Sequence, residues 1–199
     1  MADLKNVRIG CAMTGSFCTF KRTFDAWRML GDAGAELVPI MSFNAASTNT
    51  RFYPAAQAVA ELEEICGREA LRTIPQVEPI GPTKLIDLLI VAPCTGNTLA
   101  KLANGITDTP VALAAKSHLR NGRPVLLAVS TNDALGASAQ NIGRLLNAKH
   151  IYFAPFGQDD PEHKPNSAVA HFERLPEAAA LALEDAQIQP ILTGFPISC

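Results

Sequence analysis

Four clusters of hydroxyl, amide and glycine residues each follow an apolar run in this 199-residue chain. They are Thr14-Gly15-Ser16, Ser42, Cys94-Thr95-Gly96-Asn97-Thr98 and Ser130-Thr131-Asn132. Glycine admits a close backbone approach, hydroxyls and amides donate and accept hydrogen bonds without net charge, and a helix N-terminus presents unpaired N–H groups to an anion. The chemistry such clusters support is the recognition of a nucleotide-like, phosphorylated ligand. The candidate binding residues are therefore Gly15, Ser16, Ser42, Cys94, Thr95, Gly96, Asn97, Thr98 and Ser130. The sequence assigns no catalytic residue and no metal ligand.

The elements that position these clusters are legible as alternating strands and helices. Val7 to Met13 reads as a strand, Phe17 to Leu30 as a helix with apolar residues at helical spacing, and Glu36 to Met41 as the next strand. That unit has the length of a right-handed parallel crossover. Ser42 to Pro54 reads as a long polar loop, Ala55 to Cys66 as a helix stopped by Gly67, and Arg68 to Thr83 as an irregular, proline-punctuated crossing. Leu88 to Ala92 is a strand buried on both faces and ended by Pro93, and Thr98 to Leu102 is a helix closed by Asn104-Gly105. Pro110 to His118 (helix), Pro124 to Val129 (strand), Leu135 to Leu146 (helix), Lys149 to Phe153 (last strand) and Leu175 to Ala186 (helix) complete the series. Between the last strand and the last helix, Gly157 to Ser167 is a charged loop. The expected fold is α/β, an open parallel sheet with helices on both faces, in which ligands bind outside the carboxyl ends of the strands. A single domain over residues 1–187 and a tail over 188–199 are expected.

Composition narrows the function classes. The net charge of -2 gives no electrostatic case for nucleic acid or an anionic membrane. No apolar run approaches the roughly 18 residues of a membrane span, and Met-Ala-Asp-Leu-Lys-Asn is not a signal peptide. Five cysteines without a Cys-x-x-Cys pair indicate neither a disulfide framework nor a zinc site, so reduced thiols and a cytoplasmic location are expected. A 48% apolar content is high for a soluble chain and points to surface covered by sister subunits. Neither a Gly-x-Gly-x-x-Gly fingerprint nor a Walker-type lysine turn is present.

Several polar residues have a plain structural reading. Cys11 and Cys18 read as core, as does the aromatic series from Phe17 to Trp27. His118 near a helix end suits the macrodipole, and Arg51 and Tyr53 suit a solvated loop.

Gly15-Ser16 ahead of an aromatic helix, and the long run from Val91 to Asp108 (Val-Ala-Pro-Cys-Thr-Gly-Asn-Thr-Leu-Ala-Lys-Leu-Ala-Asn-Gly-Ile-Thr-Asp), resemble the flavoproteins related to flavin-containing cysteine decarboxylases and flavin prenyltransferases. The likeness spans roughly Val7 to Pro155. It implies a Rossmann-like subunit, FMN at a subunit interface, and trimers or larger homo-oligomers. It places the phosphate at Gly15-Ser16 and Ser42, and the flavin along Thr95, Asn97 and Thr98. Within the group, Ser130-Thr-Asn-Asp-Ala-Leu-Gly136 and Phe153-Ala-Pro-Phe-Gly-Gln-Asp-Asp-Pro161 favour members that aromatise a dihydropyridine dicarboxylate for the spore core. The resemblance there implies a companion A subunit carrying a nicotinamide-binding (NAD(P)) domain. A dianionic substrate of that kind would use Arg51 as a bidentate guanidinium, beside Asn132. The chain departs from the decarboxylases in having no histidine after the second strand, its first being His118, and in reading Val129-Ser-Thr-Asn where they carry Pro-Ala-Met-Asn. Cysteine decarboxylation is therefore disfavoured.

Overall fold

A computed structural model describes residues 3–194; the last five positions of the expected tail, Cys199 among them, lie outside the described residues. In chain order the elements are β1 (Arg8–Met13), α1 (Phe20–Asp32), β2 (Glu36–Met41), α2 (Phe43–Ser47), α3 (Ala55–Cys66), α4 (Ile74–Val77), β3 (Leu88–Cys94) and α5 (Gly96–Ala103). They continue with α6 (Pro110–Leu119), β4 (Val125–Thr131), α7 (Ala139–Leu146), β5 (Ile151–Phe153), β6 (Phe156–Gly157), β7 (Ala168–Ala170) and α8 (Leu175–Leu183). The apolar runs of β1, β3 and β4 are buried almost throughout, as strands covered on both faces require.

β2, β1, β3, β4 and β5 pair in that order and in parallel. Strand order thus reverses between β1 and β3, where doubly wound sheets bind ligands. Helices α1 and α8 pack together on one face, α4 to α7 interpack on the other, and α3 lies along β2 against α1. The register aligns the strand ends: Met13 stands opposite Met41, Ala12 opposite Val91, and Cys94 opposite Val129. The residues that follow, Thr14, Ser42, Thr95 and Ser130, therefore emerge at one edge.

The fold class stands, with one addition. Lys149 to Phe153 does not hold the last strand, because β6 and β7 follow it as an antiparallel pair, and β7 pairs antiparallel with Ser130 and Thr131. β4 thus exchanges β5 for β7 along its length, and the sheet is mixed. The charged segment 158–167 joins β6 to β7. Pro93 does not end β3, which runs on to Cys94; the proline's missing donor falls where the β3–β4 register shifts, between Val91 and Cys94. The loop after β2 contains α2, capped by Ser42, whose Oγ accepts from the Ala45 amide at 3.2 Å. The helix expected from Leu135 begins only at Ala139. Asp133 accepts the Ala137 and Ser138 amides at 3.2 Å each, which holds the intervening residues in turns.

Residues 188–194 pass beside β6, with Leu192 bridged in parallel to Phe156. Ile188 is buried, and the Phe156 amide and carbonyl bond Ile191 and Thr193 at 3.0 Å each. A Cβ on Gly157 would lie 2.5 Å from Thr193 Oγ1 and 2.7 Å from the Thr193 carbonyl oxygen. Gly157→Ala is therefore expected to cost about 1–3 kcal/mol by forcing this strap outward. Chemical denaturation, and limited proteolysis of the segment after Ala186, would check it; an unchanged midpoint and cleavage pattern would refute the close approach.

Candidate functional site

The four strand ends meet in two adjoining clefts that share Gly15 and Thr95. The first, of 430 Å³, is lined by Thr14, Gly15, Ser42, Asn44, Thr95, Asn97, Thr98, Lys101 and Thr109, with Phe43 at its edge. The second, of 570 Å³, takes in Ser16, Phe17, Cys18, Arg51, Phe52, Gly96, Ser130, Asn132, Asp159 and Lys164, with Ser167 and Val169.

Thr14 is the keystone between β1 and β3. Its hydroxyl donates to the Pro93 carbonyl at 2.6 Å and accepts the Thr95 amide at 3.1 Å, which fixes where β3 turns into α5. Thr95 then caps α5: its Oγ1 accepts from the Thr98 amide at 3.4 Å and lies 3.1 Å from Thr98 Oγ1. The amides of Gly96 and Asn97, in the first helical turn, have no acceptor within the helix and are available to a ligand at the N-terminus. Gly96 lets two hydroxyls approach, because a Cβ there would lie 2.6 Å from Ser138 Oγ and 2.9 Å from Thr131 Oγ1 and would turn them aside. Asn97 is exposed at the cleft, with no hydrogen bond from its side chain among the described residues.

The second cleft is held by hydroxyls. Ser16 Oγ and Ser130 Oγ are 2.8 Å apart, and Thr19 Oγ1 reaches Ser130 at 3.4 Å. Ser16 thus faces the second cleft with its hydroxyl engaged, while Gly15 and Ser42 line the first. Arg51 is exposed, as a solvated loop requires, and the loop that displays it has a defined shape. Thr50 Oγ1 accepts the Phe52 and Tyr53 amides at 3.2 Å each. The Tyr53 ring lies against Phe24 at 5.5 Å, and its hydroxyl donates to Glu61 at 2.6 Å. Burial and that carboxylate push the Tyr53 hydroxyl up to about 12, so it stays a donor.

Not every candidate reaches the clefts. Cys94 is fully buried and lines neither; desolvation raises its thiol well above the ordinary range, which leaves it a packing residue. Cys18 is exposed at the second cleft instead of packed in the core, and Phe17 is half-buried there. His118 is 1% exposed, and its Nε2 has no partner among the described residues. Burial and the Arg123 charge lower it to about 4, so it is neutral and adds nothing to the α6 dipole. It lines neither cleft, and among the described residues no histidine does.

Three groups carry no clear signal in the sequence. Thr14 reads there only as part of a turn. Lys101 stands one helical turn beyond Thr98, and its ammonium is bound by Asp108 at 2.7 and 2.8 Å, which holds that carboxyl below its usual range. Lys164 and Asp159 come from the loop between β6 and β7, whose placement depends on a hairpin too short to read.

The donor set suits a flavin mononucleotide. The first cleft offers hydroxyls, two side-chain amides, helix N–H groups and one ammonium, with no carboxylate among its lining residues, which fits a phosphate. Phe17, Phe52 and Val169 give the second cleft apolar surfaces beside polar ones, which fits a planar heterocycle. Gly15, Ser42, Thr95, Asn97 and Thr98 would hold the ligand where the clefts join.

Comparison with known proteins agrees with this architecture. Residues 1–172 match the family model described as Flavoprotein. The chain is 49% identical over 192 residues to the B subunit of dipicolinate synthase from Bacillus subtilis (strain 168), covering 96% of each chain. The crystal structure of the dipicolinate synthase B subunit from Bacillus halodurans C superposes with a TM-score of 0.88 at 40% identity, over 96% of this chain and 98% of that one. The FMN-dependent cysteine decarboxylase SpaF shares the fold alone, with a TM-score of 0.59 at 18% identity over 92% of this chain and 97% of that one. On the match over residues 1–172 and the 49% identity, this chain belongs to the flavoprotein family.

Proposed function

We propose that the chain serves as the flavoprotein-type subunit in the oxidation of dihydrodipicolinate to dipicolinate during sporulation, acting in the cytoplasm with a companion A subunit. The observation that carries this is the pair of joined clefts at the β1/β3 reversal, one lined by hydroxyls and amides with an ammonium and the other holding two cations, in a chain 49% identical to a dipicolinate synthase B subunit. FMN in the shared cleft would supply a two-electron acceptor for the hydride lost on aromatisation, the second product of that loss being a proton. The protein's own part is to orient the dicarboxylate through Arg51 and Asn132, and to fix the cofactor through Thr95, Asn97 and the α5 N-terminus. Exposed Phe43 and Phe52, at 45% and 50%, flank the clefts, and a homo-oligomer that covers them would also shield the site from water.

Cysteine decarboxylation fits less well, because no histidine lines either cleft among the described residues. A second reading, in which the chain holds substrate without transferring electrons, is favoured by one feature. Among the described residues the only lining carboxylate, Asp159, is held below the usual carboxylate range by hydrogen bonding and the nearby Lys164 charge, and is a poor base.

Dihydrodipicolinate supplied to the A subunit alone, and to A with this chain and FMN, separates the readings. Dipicolinate should form by mass spectrometry only in the mixture, with bleaching of the flavin absorbance in the absence of oxygen. Bleaching without nicotinamide places the electrons on the flavin; product formed only with NAD(P) places them on the companion subunit. A rate with this chain no greater than with A alone would end the proposal.

A further inference from the structure

The second cleft contains a charge arrangement that the cofactor does not require. Arg51, in the lining, makes no hydrogen bond or ion pair among the described residues, and its guanidinium rests 4.8 Å from the centre of the Phe52 ring. Lys164, in the same lining, has its Nζ 3.5 Å from Asp159 Oδ2, a contact looser than a good ion pair. The loop holding Lys164 has a defined shape. Gln158 Nε2 donates to the Pro165 carbonyl at 2.8 Å, the Lys164 amide to the Asp160 carbonyl at 2.7 Å, and the Ser167 amide to the Lys164 carbonyl at 2.9 Å. The Leu135 amide ties the same loop to the β4 turn by bonding the Asn166 carbonyl at 3.0 Å. Ser130 and Asn132 line the same cleft.

We infer that Lys164 and Arg51 form a two-point clamp for the two carboxylates of a planar dicarboxylic acid, with Asp159 occupying Lys164 until the ligand displaces it. This rests on the proposed function and names how that site distinguishes a diacid from a monoacid. A guanidinium takes one carboxylate as a two-pronged fork, and the ammonium takes the other as a point charge on a flexible stem. Asp159 keeps the free cleft from presenting an uncompensated cation pair to other anions, and its 3.5 Å contact with Lys164 is loose enough for a ligand carboxylate to compete with it.

The test uses the full chain loaded with FMN and two probes, pyridine-2,6-dicarboxylate and pyridine-2-carboxylate, by calorimetric titration. Lys164→Met should weaken dicarboxylate binding about tenfold and monocarboxylate binding by less than about threefold, collapsing the selectivity. Lys164→Arg should restore most of the loss. Asp159→Asn should tighten dicarboxylate binding by about threefold, since the competitor is gone. If Asp159→Asn instead weakens binding as much as Lys164→Met does, the pair only shapes the loop and the clamp is wrong. If the unaltered protein discriminates the diacid and Lys164→Met does not change that, the inference fails while the functional reading stands. If the unaltered protein binds FMN but neither pyridine acid, both fail.

Discussion

Thr95→Val is expected to weaken FMN binding by about tenfold to a hundredfold while lowering the melting temperature by only a few degrees. The substitution keeps the volume and the β-branch, so packing at the end of β3 survives. It removes the oxygen that caps the Thr98 amide at 3.4 Å and approaches Thr98 Oγ1 at 3.1 Å. The lost cap costs about 1 kcal/mol. The larger effect falls on the ligand, because Thr95 lines both clefts and sets the direction of the α5 N-terminus. Flavin fluorescence quenching and a thermal melt on the same sample would read the two effects apart. A variant that binds FMN like its parent would remove Thr95 from the cofactor site.

Acidification should destabilise the protein through His118 well above the range of its carboxylates. The imidazole is buried and its folded-state value is lowered from 6.5 to about 4. Between those values the unfolded chain binds a proton that the folded chain refuses, so stability is fully present above pH 6.5 and falls as pH drops through about 4. The interval corresponds to about 3 kcal/mol. Denaturation at pH 7.5 and pH 4.5 should show that His118→Leu loses about 2–3 kcal/mol less than the parent between the two conditions. Equal losses in parent and variant would mean that the histidine is solvated in the folded protein.

The parts of the fold that are legible in the sequence are those whose signal is local. Each of β1, β3 and β4 is a buried apolar run long enough to read, and Gly67, Gly105 and Gly122 stop helices with φ of 65°, 68° and 66°, the left-handed geometry their type suggests. β6 and β7 are invisible there because two- and three-residue strands carry no periodicity; they form only where β4 offers Ser130 and Thr131 as an edge. That omission conceals Lys164 and Asp159. The convergence of Gly15, Ser42, Thr95, Asn97 and Thr98 can be anticipated, since parallel strands deliver their carboxyl ends to one edge. The hydroxyl contact that holds the second cleft cannot, because Ser16 and Ser130 are 114 positions apart in the chain. Cys94 illustrates the opposite error: it sits beside the binding turn in sequence, yet belongs to the last pleat of β3 and faces the core.

Crystals of the protein soaked with FMN test the central claim most directly. The phosphate should lie against Gly15, Ser42 and the first turn of α5, with the isoalloxazine extending past Thr95 toward Ser130 and one flavin per chain. Flavin density elsewhere on the surface, or clefts left without flavin at saturating concentration, would contradict the assignment of these strand ends as a single cofactor site.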